Sequence, residues 1–132
     1  MKRLKIKVKM ENILYVYSKC STCKKAEKFL KENNFDYLKK EIVEEIPSKD
    51  DIKKWMKKGK LDLKKFFNTS GMSYRKLELA KNYDKYTEYE LLDMLSKDGM
   101  LIKRPILITK ENVILGFNEK KYLDEIAKTN NN

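Results

Sequence analysis

The sequence predicts an α/β fold in which a helical block is inserted into a mixed, four-stranded sheet. Two short strand-like segments with a helical segment between them open the chain, a long helical stretch follows, and two strands and a helix close it. Strands joined through a helix are parallel, whereas strands joined by a three-residue loop are antiparallel. Both arrangements are therefore expected in one sheet.

The first third of the chain predicts a strand, a helix and a second strand. "ILYVY" at 13–17 is short, apolar and rich in residues that favour strands. Periodic apolar residues predict a helix from about Thr22 to Asn33, with lysines on its other face. "FDYLKKEI" at 35–42 predicts the second strand. The helix residues expected to face the core are Ala26, Phe29 and Leu30.

The middle of the chain is predicted to be helical, and two capping boxes mark its longer helices. Ser48 with Asp51 begins one helix, which Gly59 is expected to end. Thr87 with Glu90 begins another. Short helices and a turn are predicted between them. These segments are 61–67, the turn "NTSG" at 68–71, and 73–80.

The last third changes to strands. "PILIT" at 105–109 and "VILGF" at 113–117 are apolar and separated by three loop residues, which predicts a hairpin. Asn118 is placed to cap a final helix. The apolar residues of that helix are Tyr122, Leu123 and Ile126. The complete order is therefore β-α-β, a helical block, then β-β-α.

Length and composition indicate a single cytoplasmic domain. The 132 residues suffice for one modest core. We expect a basic extension at 1–10, a domain at 11–128 with the helical insert at about 46–98, and a disordered tail at 129–132. No apolar run could cross a bilayer, and no apolar stretch follows the basic start as in a signal peptide. A monomer is the default expectation.

The formal net charge is +11, and the first nine residues contribute lysines and an arginine with no acid. That segment is either a loose extension or an edge strand, because its apolar residues alternate. Elsewhere lysines are interleaved with acidic residues, as on solvated helix surfaces. The excess of lysine therefore favours solubility over nucleic-acid binding. We expect neither a nucleic-acid partner nor a membrane.

The two cysteines, Cys20 and Cys23, lie in "YSKCSTCKKAEKFL" at 17–30. They could be part of a metal site, two inert buried thiols, or a redox pair. A structural zinc site needs four nitrogen or sulfur ligands, and this chain has two cysteines and no histidine. A core position is not expected for Cys20, because it follows a strand in a polar loop. The pattern favours a redox pair without a metal.

Cys20 is predicted at the N-terminus of the first helix, where free backbone N–H groups and the helix dipole favour an anion. Lys19, Lys24 and Lys25 add positive charge nearby. Such surroundings lower a thiol pKa from about 8.5 to roughly 3.5–7.5. Cys23 lies one turn further on and is expected to point inward. An exposed attacking sulfur with a sheltered neighbour is the arrangement of a nucleophilic and a resolving cysteine.

Four segments carry a family resemblance: "YSKCSTCKKAEKFL", "DLKKFFNTSGMSYRKL", "DGMLIKRPIL" and "LGFNEKKY". Over about Asn12 to Ala127 they resemble the ArsC/Spx family, which includes glutaredoxin-type arsenate reductases and Spx/MgsR-type transcription regulators. The resemblance implies a thioredoxin-like fold with a four-stranded mixed sheet and an inserted helical block. It also implies a cis-proline at Pro105 that faces the CxxC loop.

The resemblance implies a set of site residues. The catalytic residues are Cys20, Cys23 and Arg104, with Arg104 beside the thiolate. The residues expected to bind substrate or shape the site are Ser21, Thr22, Asn68, Ser70 and Pro105. Arsenate reductases hold their substrate with further arginines, at places that resemble Asn68 and Phe117 here. Losing those charges, and gaining a second cysteine in the loop, predicts weak or absent arsenate reduction.

Besides arsenate reduction, the resemblance implies two other candidate functions. The first is a thiol–disulfide oxidoreductase that is regenerated by glutathione, thioredoxin or glutaredoxin and needs no tightly bound cofactor. The second is an Spx-type redox-sensing regulator, which would bind the C-terminal domain of the RNA polymerase α subunit. The CxxC pair serves both, as reagent in one and as switch in the other.

Overall fold

A computed structural model describes residues 12–130 of the chain. The predicted basic extension or edge strand at 1–10 therefore lies outside the described residues. The strands are β1 Ile13–Val16, β2 Leu38–Glu41, β3 Ile106–Ile108 and β4 Val113–Leu115. They form one sheet in the order β2-β1-β3-β4. β1 pairs parallel with β2 and antiparallel with β3, and β3 pairs antiparallel with β4, so the mixed sheet is confirmed.

Six α-helices occur within the described residues. They are α1 Ser21–Glu32, α2 Lys49–Gly59, α3 Met72–Lys76, α4 Leu79–Asn82, α5 Glu88–Lys97 and α6 Glu119–Asn130. Short 3-10 turns occupy Leu63–Phe66, Tyr83–Lys85 and Gly99–Leu101. Across residues 12–130, no helix combines the length and apolar character that crossing a membrane requires. The helices from α2 to α5 form the block between β2 and β3.

The sheet separates two apolar clusters because strand side chains alternate between its faces. Tyr15, Ile106 and Ile108 face the helical block, where Tyr15 packs against Trp55 with ring centroids 5.3 Å apart. On the opposite face, alternate strand residues pack with α1 and α6. This second cluster includes Leu14, Val16, Cys23, Ala26, Leu30, Leu107, Ile114 and Tyr122. Helix α1 is thereby fixed with one cysteine in the core.

Both predicted capping boxes are present. Ser48 and Asp51 exchange hydrogen bonds at the start of α2, and Thr87 and Glu90 do so at the start of α5. Helix α2 ends at Gly59, as predicted. The left-handed conformation that often follows a helix is taken by Lys60, with φ 53°. A Cβ on Gly59 would lie 3.1 Å from the Val113 carbonyl oxygen, so close packing explains the glycine.

The predicted helix at 73–80 is in fact two helices, α3 and α4. The chain breaks at Glu78, which has φ 52°. Residues five apart on a continuous helix point about 140° from each other. Tyr74 and Leu79 are five apart and both buried. The break therefore lets both side chains enter the core.

Some element boundaries also differ from the prediction. β2 is shorter than 35–42, because Asn34 has a positive φ and Phe35 turns into the core. Helix α6 runs to Asn130, two residues into the segment predicted as a disordered tail. Of the apolar residues on that helix, Tyr122 and Ile126 are buried and Leu123 is 47% exposed. Glu125 is also buried, and the Thr109 hydroxyl donates to it at 2.6 Å.

Candidate functional site: a thiol pocket

Cys20 is the N-cap residue of α1, with extended backbone angles and no side-chain capping hydrogen bond. Its N–H donates to the Tyr17 carbonyl at 2.9 Å, which closes the turn between β1 and α1. Its sulfur lies at the position where helix N–H groups favour an anion. The side chain is half-buried, and both cysteines are free thiols.

The pKa of the Cys20 thiol lies below its usual value. Partial burial raises the pKa, but the Cys23 side chain and backbone N–H, together with the adjacent Arg104 guanidinium, favour the thiolate and outweigh burial. The two sulfurs are therefore neighbours, as a CxxC pair at a helix start requires. The lysines that the sequence predicted as the source of positive charge are not among these causes. Arg104 has that role, from a different part of the chain.

Cys23 is 1% exposed and lies in the cluster between the sheet and α1. Burial raises the pKa of its thiol to about 12, and the neighbouring Cys20 adds to the rise. The Tyr17 N–H donates to the Cys23 sulfur at 3.5 Å and acts in the opposite direction. The outer thiol is thus the more acidic of the two, and the inner one stays protonated at neutral pH.

Arg104 is held at the site by three features. Its guanidinium lies over the Tyr17 ring, 5.0 Å from the centroid, an attractive cation–π arrangement. Its Nη1 donates to the Met100 carbonyl at 3.3 Å. Its buried Nε–H has no hydrogen-bond partner among the described residues. Because an unpaired buried donor is costly, this N–H is suited to a thiolate or to an anionic group of a substrate.

The helical block reaches the site through a short antiparallel contact. The Asn68 N–H donates to the Leu101 carbonyl at 2.8 Å, and the Lys103 N–H donates to the Phe66 carbonyl at 2.7 Å. This contact ties the "NTSG" turn to the segment that carries Arg104. Inside the turn, the Ser70 hydroxyl donates to Asn68 Oδ1 at 3.3 Å. The block thus supplies one wall of the site.

These elements enclose a pocket of about 580 Å³, which we call the thiol pocket. Five of the sequence-predicted site residues line it. They are Cys20, Thr22, Asn68, Ser70 and Arg104. Cys23 lies behind it in the core. Ser21, the exposed first residue of α1, and Pro105 are not among the lining residues. The Arg104–Pro105 bond is cis, as expected, and Pro105 is buried.

Sequence reasoning did not assign Lys103 and Leu115 to the site, although both line the thiol pocket. In the segment "KRP" at 103–105, the resemblance pointed to Arg104 and Pro105, yet the lysine before them was also a readable signal. The sequence held no such signal for Leu115, because its place in the pocket depends on the strand register. Gly71, Gly116 and Phe117 complete the lining. Among residues 12–130, no group of three or more His, Cys, Asp or Glu is arranged to hold a metal ion.

Most of the chain matches one known protein family. The model of the ArsC family matches residues 15–124. The chain belongs to the ArsC family. Its CxxC pair, cis-proline and arginine thus sit on the scaffold that the resemblance implied.

Relatives within the family differ in name. The chain is 46% identical to the uncharacterized protein YusI of Bacillus subtilis, over 89% of this chain and 100% of that one. It is 28% identical to the global transcriptional regulator Spx of Listeria innocua, over 87% and 83% of the two chains. The sequence therefore has similarity to a regulator as well as to a protein without an assigned role.

Solved structures agree on the architecture. An ArsC family related protein from Bacteroides fragilis is 38% identical, with a TM-score of 0.84 over 89% of this chain and 98% of that one. A protein from Streptococcus mutans described as a possible arsenate reductase is also 38% identical, with a TM-score of 0.79 over 87% and 98%. These matches confirm the mixed α/β, thioredoxin-like fold of the ArsC family.

Proposed function

We propose that this chain is a cytoplasmic thiol–disulfide oxidoreductase that uses Cys20 as nucleophile and Cys23 as resolving cysteine. The observation that carries the proposal is the environment of Cys20: a helix N-cap sulfur whose pKa is lowered by Cys23 and Arg104. A thiolate, rather than a thiol, is the attacking species in disulfide exchange. The ArsC family fold supplies the same scaffold to its named relatives.

The first step is attack by the Cys20 thiolate on one sulfur of a substrate disulfide. The new sulfur–sulfur bond forms as the substrate bond breaks, and the departing sulfur leaves as a thiolate that takes a proton from solvent. The result is a mixed disulfide on Cys20. Arg104 Nε–H, unpaired among the described residues, is available to hold the developing negative charge.

The second step releases the substrate. Once Cys20 is in a mixed disulfide, it no longer carries the charge that raises the Cys23 pKa. Burial still opposes ionisation, whereas the Tyr17 N–H and Arg104 favour it. Cys23 loses its proton, attacks the Cys20 sulfur and expels the second substrate thiol. The pair has then given two electrons, and glutathione or a thioredoxin or glutaredoxin protein restores the dithiol.

The test is stopped-flow reaction with 2,2′-dipyridyl disulfide, together with thiolate absorbance across pH. We expect a Cys20 pKa below the free-thiol value of about 8.5. Cys20→Ser should abolish the fast reaction, and Cys23→Ser should trap the mixed disulfide because nothing resolves it. A Cys20 pKa near that of free cysteine, or equal reactivity of the two thiols, would contradict the proposal.

A second candidate function is a redox-sensing regulator, favoured by relatives that are named Spx. In that role the same dithiol-to-disulfide change would alter binding to the C-terminal domain of the RNA polymerase α subunit. A pull-down with that domain, using reduced and oxidised protein, separates the two. Redox-dependent capture without turnover supports the regulator, whereas turnover with glutathione or thioredoxin supports the oxidoreductase.

Arsenate reduction is not favoured by the pocket. Among the described residues that line it, the cations are Lys103 and Arg104. Asn68 and Phe117 also line it, and the resemblance implies that arsenate reductases have further arginines at these two places. A tetrahedral oxyanion is best held by several fixed donors with bidentate geometry. A turnover assay coupled to NADPH through glutathione reductase or thioredoxin reductase tests this. We expect little NADPH consumption when arsenate replaces the disulfide substrate.

A further inference from the structure

A second pocket lies beside the thiol pocket and is rimmed by lysines. It has a volume of about 530 Å³ and is bordered by all three residues of β4, with Leu61 and Phe67 from the helical block. We call it the lysine groove. Its basic residues are Lys64, Lys65, Lys103, Lys121 and Lys128. They come from three separate parts of the chain, which the fold brings to one surface.

The positive charge of the groove is not neutralised locally. Five lysines face two acidic lining residues, which leaves an excess of three positive charges. Of those acids, Glu125 is 4% exposed and accepts hydrogen bonds from Thr109 and Asn112. The ion pairs between described residues involve Glu27 and Asp93, and none includes a groove lysine. Among residues 12–130, the groove lysines therefore have no carboxylate partner in an ion pair, although the Lys64 ammonium lies 5.1 Å from the Tyr83 ring centroid.

The floor of the groove is apolar. Leu61 and Leu115 are half-buried, so part of each side chain remains accessible there. An occupant that matches this surface has carboxylates at its edges and an aliphatic or aromatic side chain between them. A polypeptide segment rich in acidic residues has that composition.

The lysine groove is continuous with the thiol pocket, because Lys103 and Leu115 line both. We propose that the lysine groove receives an acidic segment of the partner protein whose disulfide or thiol reacts with Cys20. The assignment to a thiol partner rests on the proposed function. Continuity with a reactive sulfur favours a protein over a nucleic acid, because the occupant must present sulfur to Cys20.

The test compares three homodimeric peptide disulfides, whose single cysteine is flanked by glutamates, glutamines or lysines. Electrostatic steering changes association rates by about 10- to 1,000-fold and weakens with salt. In low salt we expect the glutamate peptide to react with the full-length chain at least about tenfold faster than the lysine peptide. The difference should shrink strongly in 0.5 M NaCl, a concentration at which the Debye length is only a few ångströms.

A matched pair of triple variants locates the effect. K65Q/K121Q/K128Q removes three exposed groove charges and spares Lys103, which belongs to the thiol pocket. K53Q/K54Q/K81Q removes three exposed charges elsewhere. The groove variant should lose most of the preference for the glutamate peptide, and the control should keep it. Equal rates for the three peptides in the unmodified chain, or equal losses in both variants, would overturn the proposal.

Two further arms separate this inference from the proposed function. Dipyridyl disulfide has no acidic segment, so its reaction with Cys20 does not use the lysine groove. The rate of that reaction should be the same in the groove variant and the unmodified chain. A cysteine-free glutamate peptide, followed by fluorescence anisotropy, reports groove binding without thiol chemistry. Unreactive Cys20 with intact peptide binding would refute the oxidoreductase and the assignment to a thiol partner, but would leave the groove as a site for an acidic segment. Absent peptide binding, or an oligonucleotide of equal charge that displaces the peptide, would refute the acidic-segment proposal.

Discussion

At the scale of single residues, the pKa of Cys20 depends on an arginine that is 84 positions away in the sequence. The thiol is half-buried, and burial by itself would raise its pKa. The neighbouring Cys23 and the Arg104 guanidinium reverse that effect. Positive charge on α1 was the sequence-based explanation, and the structure replaces it with one fixed guanidinium and a neighbouring thiol.

Arg104→Gln tests the role of this guanidinium. The substitution removes a charge that favours the thiolate, so the Cys20 pKa should rise and the pH–rate profile for dipyridyl disulfide should move to higher pH. At a pH well below the pKa, raising the pKa by one lowers the thiolate population about tenfold. At pH 10 the two rates should converge. Lys24→Gln, which removes an exposed charge on the same helix as the thiol, is the control.

Equal changes from Arg104→Gln and Lys24→Gln would restore the explanation based on helix lysines. An unchanged profile in both would mean that the helix N-terminus and Cys23 suffice for the lowered pKa.

At the scale of elements, the turn at Gly99–Leu101 packs the helical block against the backbone that follows β2. A Cβ on Gly99 would clash with the Ile42 carbonyl oxygen and lie 2.9 Å from Val43 Cα, which are backbone atoms. Gly99→Ala should therefore force the two segments apart and lower the free energy of unfolding by about 1–3 kcal/mol. Urea unfolding followed by circular dichroism measures the loss.

Gly71→Ala is the matched control for this prediction. Its nearest contact would be Asn68 Nδ2 at 2.6 Å, the end of a side chain that can rotate. We expect a smaller loss than for Gly99→Ala. A larger loss at Gly71 would show that the "NTSG" turn, rather than the Gly99 contact, limits stability.

The elements also show what the sequence could predict. Local signals carried most of the fold: the Ser48 and Thr87 capping boxes, the Asn118 cap and the apolar strands lie where they were expected. The break at Glu78 could not be predicted, because it results from burying Tyr74 and Leu79 against distant partners. The burial of Glu125 depends likewise on Thr109 and Asn112 across the hairpin.

In the candidate site, too, some features were predictable from the sequence and others depended on nonlocal packing. The CxxC spacing placed one sulfur at the start of the helix and the other in the core, and both lie there. The nucleophilic and resolving roles stay predictions. Family resemblance identified Arg104 and the "NTSG" turn, which meet at the thiol pocket through the contact between Asn68 and Leu101. Lys103 and Leu115 were missed because pocket lining depends on the register of nonlocal segments.

At the scale of the whole molecule, one cysteine and several tyrosine side chains that are buried or half-buried keep their protons at alkaline pH. Burial is the largest cause in each case. It raises the pKa of Tyr15 and of Cys23 to about 12, and it raises those of Tyr37 and Tyr122 as well. In the unfolded chain these groups ionise near their ordinary values, about 8.5 for cysteine and 10 for tyrosine. Between those values and the folded ones, the folded state binds more protons.

Stability should therefore fall as pH rises. The slope of the unfolding free energy with pH is negative where the native state holds more protons than the unfolded state. The contribution is complete below about pH 8.5 and is lost progressively as pH rises toward the folded values. Urea midpoints at pH 8, 9, 10 and 11, at constant ionic strength, measure it.

Two phenylalanine variants identify the source of this pH dependence. Tyr37→Phe should flatten the decline, whereas Tyr89→Phe, at a side chain 64% exposed, should not. A midpoint that rises between pH 9 and 11 would mean that relief of lysine repulsion outweighs the buried phenols and thiol.

The shared border of the thiol pocket and the lysine groove has a consequence for selectivity. A ligand that spans both is held at two points of one chain, so contact at the second point is intramolecular once the first has formed. The gain depends on the distance along the ligand between its acidic cluster and its sulfur, and it vanishes when that spacing is too short to bridge. Two disulfides of identical redox potential would then be reduced at different speeds according to the arrangement of their flanking residues alone.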